Sequence, residues 1–286
     1  MEAISGSPLE IEELAGIAEQ PLTVDRRSGV LAEASDAPLT LALSDSKLVD
    51  FLRIARRFGC EEYAYAVTPN VDHLIRYCDD ATFRKLYRDA RFVLLDSRFL
   101  ARLVHVTTGT RLPVCPGSDL TAHLFKAVIE PDDVVVLIGG TSEKAQMLRA
   151  CYGLSQLRHY NPPMGFIKDP VAIEETLQFI EAQGPFRFCL LAVGCPQQEM
   201  LARALKTRGR AKGLALCVGS AVEFLTGGER RAPAWVGAIG LEWLFRLSQD
   251  PGRLAARYLI RGPRIFYLLP RLGFRIRSRR ADQFRN

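Results

Sequence analysis

Long apolar runs are missing from this 286-residue chain. No stretch approaches the roughly 20 apolar residues that a spanning helix needs. The first residues, MEAISGSPLEIEELAG, lack the basic and apolar regions of a signal peptide, so a cytosolic protein is expected. Metal-ligand spacings are missing too. The seven cysteines (60, 78, 115, 151, 189, 195, 217) contain no CxxC pair, and the four histidines (73, 105, 123, 159) show no paired spacing. Most of the cysteines lie in apolar runs such as FCLLAVG and LALCVG, where a thiol behaves as a small buried hydrophobe. The histidines are expected to be structural or exposed. The glycine loop after the clearest strand, GGTS at 139–142, lacks both the GxGxxG spacing of a dinucleotide site and the GK[ST] ending of a P-loop. That counts against oxidoreductase and ATPase readings.

Basic charge is present and unevenly spread. Residues 246–286 hold eleven arginines against two aspartates, +9 in all, which leaves −3 for the rest of the +6 chain. Such a stretch implies a polyanionic partner. Its aromatic and apolar residues favour an anionic membrane surface over nucleic acid. Arg253, Arg257, Arg261 and Arg264 recur at helical spacing, and IFYLLP and RLGFRIRSRR follow. This segment reads as a basic amphipathic appendage lying on a membrane.

Between the ends, strand-like and helical runs alternate. YAYAV, RFVLLD, DVVVLIG, a weaker run at 157–160, FCLLAVG and LALCVG read as strands, with helical runs between them. A helix is expected over Leu48–Ala55, and residues 1–38 read as a poorly ordered extension. The pattern predicts an α/β fold: a Rossmann-like, doubly wound, mostly parallel sheet. Three regions are expected: the extension at 1–38, a catalytic core at 39–228 and an arginine-rich helical appendage at 229–286.

Ligands of such sheets lie beyond the carboxyl ends of the strands. Thr68 and Asn70 leave the first strand and suit either sugar hydroxyls and base edges or plain turn and cap chemistry. Asp96 ends the second strand as either a helix cap or a general base. The GSD run at 117–119 offers amides to an anion or merely caps a helix. Gln197, Gln198 and Glu199 follow a later strand, where sugar contact competes with helix initiation. The run 230–253 gathers arginines beside both tryptophans of the chain; a buried cationic cluster needs a partner, and a diphosphate would serve.

These pieces in this order resemble the WecG/TagA/CpsF glycosyltransferases, glycosyltransferase family 26. The matching elements are TPN at 68–70, Asp96, PGSDL at 116–120, VVLIGG at 135–140, GCPQQE at 194–199, VGSAVEFLTG at 218–227, RRAP at 230–233, GLEWLFRL at 240–247 and PGR at 251–253. The resemblance implies an inverting, metal-independent transfer of a sugar from a UDP-sugar to a polyprenyl-diphosphate-linked sugar. The enzyme would be peripheral on the cytoplasmic face of the membrane and serve exopolysaccharide or cell-surface glycan synthesis. No metal or organic cofactor is expected. By position, Asp96 would be the base. Thr68, Asn70, Gln198 and Arg231 would line the substrate pocket, and Arg246, Arg253 and Arg257 would face the leaving diphosphate. Three positions depart from the family pattern: Ser97 stands where Gly is usual, Glu223 where Asp is common, and Arg257 beside the expected third arginine. The donor sugar stays open among glucose, N-acetylmannosamine and its uronic acid, as does a homo-oligomeric state. Two rival readings are a non-catalytic membrane-associated partner of a polysaccharide assembly complex and a nucleotide-cofactor oxidoreductase.

Overall fold

The structure is a computed structural model that describes residues 39–227, 233, 236 and 240–277, with the side chain of residue 253 left out. The predicted extension at 1–38 and Arg231 lie outside the described residues, as does the Arg253 side chain.

Six strands form one all-parallel sheet: β2 (Tyr63–Val67), β3 (Phe92–Val93), β4 (Val135–Ile138), β5 (Leu157–Tyr160), β6 (Phe188–Leu191) and β7 (Gly213–Cys217). Their spatial order is β3-β2-β7-β6-β4-β5. Strands β4, β6 and β7 are buried along their whole length. A sheet covered by helices on both faces requires this, and continuous apolar runs such as VVLI supply it. The helices are α1 (Leu48–Arg57), α2 (Val71–Asp79), α3 (Ala81–Arg88), α4 (Arg98–Thr108), α5 (Gly117–Ala127), α6 (Ser142–Tyr152), α7 (Pro170–Ala182), α8 (Gln197–Arg208) and α9 (Ala221–Leu225). Two apolar clusters result, one on each face: one includes Tyr65, Val67 and Ile138, and the other Ala64, Ala66 and Leu137. Alternate residues of β2 and β4 thus feed opposite faces.

Two parts of the sequence reading change here. The run RFVLLD is a strand only over Phe92–Val93; Leu95 then makes a single bridge to Val114. Leu94 N still donates to Val67 O and Asp96 N to Pro69 O, each at 2.9 Å, while Cys115 N donates to Leu95 O at 2.8 Å, so Asp96 is held between the exit of β2 and the loop before α5. Helix α3 also escaped the sequence reading. It starts directly after α2 because Asp80 ends one helix and caps the next, its carboxylate accepting from Thr82 N at 2.7 Å and Phe83 N at 3.1 Å.

The C-terminal segment holds α10 (Glu242–Gln249), α11 (Pro251–Ala255), a π-type turn at Ala256–Arg261, α12 (Arg264–Leu268) and β8 (Leu272–Arg277). Strand β8 falls within the basic amphipathic appendage that the sequence pattern expects to lie on a membrane. It pairs instead in parallel with β1 (Leu39–Ser44), Leu39 opposite Leu272 through Ser44 opposite Arg277. Its alternation of arginine and hydrophobe is a strand period, with Leu272 buried and Arg275 exposed. The arginine stripe also differs from expectation, because part of it turns towards the protein. Arg261 and Arg257 approach Asp72, and Arg264 grips Asp79 with two contacts of 3.0 Å. Carboxylates on α2 hold these cations. This segment also exposes large apolar side chains, Leu259, Ile260, Phe266 and Tyr267, beside exposed Arg264, Arg271 and Arg275. No helix among the described residues is long and apolar enough to cross a membrane.

Candidate active site

A cavity of about 720 Å³ opens at the carboxyl ends of the strands. Thr68, Asn70, Asp96, Gln198, Arg246 and Arg257 all line it. The fold therefore brings together every predicted site residue whose side chain is described. Its walls come from the loops after β2, β3, β6 and β7, where the order of the sheet departs from the order of the chain. Such a crevice is where open α/β sheets bind ligands.

Asp96 is not the cap of the helix that follows it. Ser97 caps α4, its hydroxyl accepting from Leu100 N at 3.1 Å, which gives a local reason for serine at that position. The Asp96 carboxylate is free to turn to the first residue of α5, where Oδ1 accepts from Gly117 N at 2.7 Å. A Cβ on Gly117 would stand 3.3 Å from Thr68 Oγ1 and 3.6 Å from Asp96 Oδ1, so glycine leaves this corner open. Burial raises the pKa of Asp96 above the ordinary carboxylate value, against the opposing pull of Arg246, the Gly117 N–H, Arg257 and Arg98. A carboxylate held this way is a stronger proton acceptor than an exposed aspartate and stays fixed in direction.

The other neutral groups serve two ends. Thr68 Oγ1 donates to Cys217 O at 3.0 Å, joining the ends of β2 and β7. Asn70 caps α2, accepting from Asp72 N at 3.1 Å and His73 N at 3.4 Å, and it also accepts from Arg257 Nη2 at 3.3 Å. Its cap role and its place in the cavity are compatible. Gln198 is almost fully buried and committed: Oε1 accepts from Gly219 N at 2.9 Å and Nε2 donates to Glu199 Oε1 at 2.8 Å. It braces the loops after β6 and β7.

Two cations enter from the C-terminal segment. Arg246 on α10 lies over the Phe224 ring at 4.7 Å, a contact that fixes the guanidinium plane. Arg257 has its Nε 3.6 Å from Asp72 Oδ2, beyond hydrogen-bond distance, and buried. Three ion pairs that sequence reading missed complete the rim. Arg98 donates to Asp119 at 2.6 Å and to Glu242 at 2.5 Å, tying α4 and α5 to α10. Lys144 on α6 donates to both carboxylate oxygens of Glu223, at 2.7 and 2.5 Å. No short-range pattern marks these pairs, since the partners lie 144, 79 and 21 residues apart.

Beneath the cavity sit His73, Cys195 and Glu199. Their ligand-type atoms lie within 4.8 Å of one another, so this trio has the chemistry to hold a cation. Arg76 acts on all three, with Arg257 also acting on His73 and Cys195, and such positive charge opposes a metal there. Burial lowers the His73 pKa to about 3, and the neutral ring shares a 2.9 Å hydrogen bond with Tyr87. Burial raises Glu199 to about 7. The cysteines are all free thiols, but fewer are core residues than expected: Cys115, Cys189 and Cys217 are buried, while Cys151 is exposed.

A doubly wound sheet carries a carboxylate and guanidinium groups in one cavity at its strand ends. The family follows from the sequence match: the model of the Glycosyl transferase WecG/TagA/CpsF family covers residues 40–280. The chain belongs to this family and is a glycosyltransferase. Among solved structures it is similar to a selenomethionine-substituted domain of unknown function 1792, with 12% identity over 77% of this chain and 86% of that one, at a TM-score of 0.38. A second structure, described as "The highly conserved domain of unknown function 1792 has a distinct glycosyltransferase fold", matches at 11% identity over the same shares, with a TM-score of 0.39. At these scores the likeness adds nothing to the family assignment.

Proposed function

We propose that this glycosyltransferase moves a sugar from a UDP-sugar to a polyprenyl-diphosphate-linked sugar, with inversion, at the cytoplasmic face of a membrane. The observation that carries the reading is the shared cavity: Asp96 on one wall, Arg246 and Arg257 on another. Asp96 takes the proton of the acceptor hydroxyl as its oxygen attacks the donor anomeric carbon. The bond from that carbon to the diphosphate breaks, and the electron pair leaves with UDP. One displacement inverts the centre. Negative charge grows on the departing diphosphate, and fixed guanidinium groups stabilise it without reorganising. Arg246 and Arg257 serve this role, joined by Arg253 of the same stretch, with Arg231 lining the substrate pocket. Arginine supplies the charge that a metal ion would otherwise bring. Exposed Leu259, Ile260, Phe266 and Tyr267, with Arg271 and Arg275 nearby in sequence, form the face that meets the membrane.

The test is a donor screen against a polyprenyl-diphosphate-linked sugar with membranes present. Turnover of a UDP-sugar with inverted product supports the reading. Transfer from another nucleotide sugar alone, or retention of configuration, would overturn it.

A further inference from the structure

Residues 251–277 contain seven arginines and no Asp or Glu. Asp72 and Asp79 of α2 take Arg257, Arg261 and Arg264. Arg271 instead lies over the Tyr267 ring at 4.7 Å and donates to its hydroxyl at 2.8 Å. Arg271 and Arg275 are both exposed, and so are Leu259, Ile260, Phe266 and Tyr267. An outer face that joins bulky apolar side chains to positive charge marks an interaction surface. One end of the chain attaches beside it. Strand β1 begins at Leu39, which pairs with Leu272 in parallel register, so residues 1–38 enter the fold next to Arg271. They lie outside the described residues, and their sequence complements the face. They hold eight acidic residues against Arg26 and Arg27, −6 in all, and residues 1–20 hold five acids and no base. Ser7, Pro8 and Glu10 have the spacing of an N-cap, N1 and N3 in a capping box. Ile11, Leu14, Ala15 and Ala18 then recur at helical spacing, with Glu12, Glu13 and Glu19 off that stripe. This pattern predicts a short acidic amphipathic helix. Alone in water a helix of this length is marginal, so its stripe needs a surface.

We infer that residues 7–20 occupy this outer face, with their apolar stripe on its exposed apolar side chains and their acids beside Arg271 and Arg275. The tether allows it. Residues 21–38 span about 20–25 Å as a flexible coil, whereas Ile260 and Tyr267 stand about 10 Å apart along a helical stretch. An anionic bilayer would use the same two features of the face, so segment and membrane compete for it. The docking goes beyond the proposed reaction; the competition rests on the membrane face named there. A tethered partner acts at an effective concentration on the order of 1 mM. An affinity of only about 0.1 mM in trans would therefore keep the face about nine-tenths covered. Cover of that strength shields the apolar side chains from water and still yields to a membrane.

The experiment follows amide hydrogen exchange of the full chain in vesicle-free buffer. Amides of residues 9–20 are expected to exchange about tenfold more slowly than in a synthetic peptide of residues 1–20. The double variant Ile260→Ser, Tyr267→Ser changes only exposed side chains and should return them to the rate of the peptide. Exchange at the peptide's rate in the native chain would overturn the inference, as would protection that survives this variant. A second arm uses Ile11→Ser, Leu14→Ser, which removes the stripe and leaves the net charge unchanged. This variant should bind vesicles of phosphatidylserine and phosphatidylcholine in equal parts about tenfold more tightly than the native chain, as measured by flotation. Unchanged affinity would overturn the competition. A loss of affinity would overturn it too, because the segment would then itself be meeting the lipid. The exchange arm involves neither vesicles nor sugar transfer, so it stays readable whether or not the donor screen succeeds.

Discussion

Arg98 and Glu242, 144 residues apart in sequence, form an ion pair at 2.5 Å. The pair joins the helix that begins just after Asp96 to the helix that carries Arg246. A second contact from the same guanidinium, to Asp119 at 2.6 Å, anchors it to the helix that begins with Gly117. Arg98 thus connects the three elements around the reacting centre. Both partners are about one-third exposed, so the pair contributes little to stability but sets geometry.

Replacing Arg98 with Gln should lower kcat/KM by about tenfold to a hundredfold, since small misplacement of catalytic groups carries costs of that order. Thermal stability should change by no more than about 1 kcal/mol. Steady-state kinetics beside a melting curve separate the two. Equal fractional losses of activity and fold would remove its positioning role.

Asp96→Asn should reduce transfer by about 10² to 10⁴, the usual weight of general-base catalysis, while UDP binding persists. In the native enzyme the raised pKa of Asp96 predicts an acid limb of kcat/KM above the ordinary aspartate value of about 3.9. Activity falls as pH drops through that limb because the protonated acid cannot accept the hydroxyl proton. Arg246 favours the ionised form, so Arg246→Gln should move the limb higher still. A pH–rate series on both proteins decides this; a limb that stays put in the arginine variant would separate the two residues electrostatically.

Arg246→Gln should also weaken UDP binding by about 10- to 100-fold, the value of about 1.5–3 kcal/mol for hydrogen bonds to a charged group. Titration calorimetry with UDP reads this directly. Unchanged affinity would place the diphosphate elsewhere.

Glu199 gives a stability prediction with a definite sign. Its folded pKa is raised from 4.5 to about 7 by burial, so between these values the folded state holds a proton that the unfolded state has released. Stability therefore falls as pH rises through this window and levels off above it, by a total on the order of 3 kcal/mol. Gln at this position keeps an acceptor for Gln198 Nε2 and cannot ionise. Glu199→Gln should flatten the pH dependence, becoming more stable relative to the native protein as pH rises from 5 to 8. Denaturant melts across that range test it, and parallel curves for the two proteins would rule it out.

Ile260 is 73% exposed and Tyr267 66% exposed. The double variant Ile260→Ser, Tyr267→Ser should lose most of its binding to anionic vesicles, each apolar side chain contributing about 1.5–3 kcal/mol on burial. Vesicle flotation measures this. Retained flotation would move the membrane face away from this segment.

The sequence by itself determined the parallel sheet and which loops leave its strands, though not where β3 ends. Runs such as VVLI and LALC have the composition of strands buried on both faces, and Thr68, Asn70, Asp96 and Gln198 follow such strands closely enough to be placed by rule. Ordered motifs supplied the family. Local pattern did not reveal β1 and β8 as a pair, because each is half of a pairing across more than 230 residues, although the alternation on β8 already has a strand period. Tertiary structure alone decided which way the C-terminal arginines turn. Their spacing places them on one helix face, but only the carboxylates of α2 determine that Arg257 and Arg261 turn to Asp72 and Arg264 to Asp79 while Leu259 and Phe266 look out. The choice of Ser97 over Asp96 as helix cap is tertiary as well: the Asp96 carboxylate has a partner in Gly117, 21 residues on, that exists only once the loop before α5 has docked beside Leu95. Periodicity is a property of one segment, whereas pairing belongs to two, and a chain read alone discloses the first far better than the second.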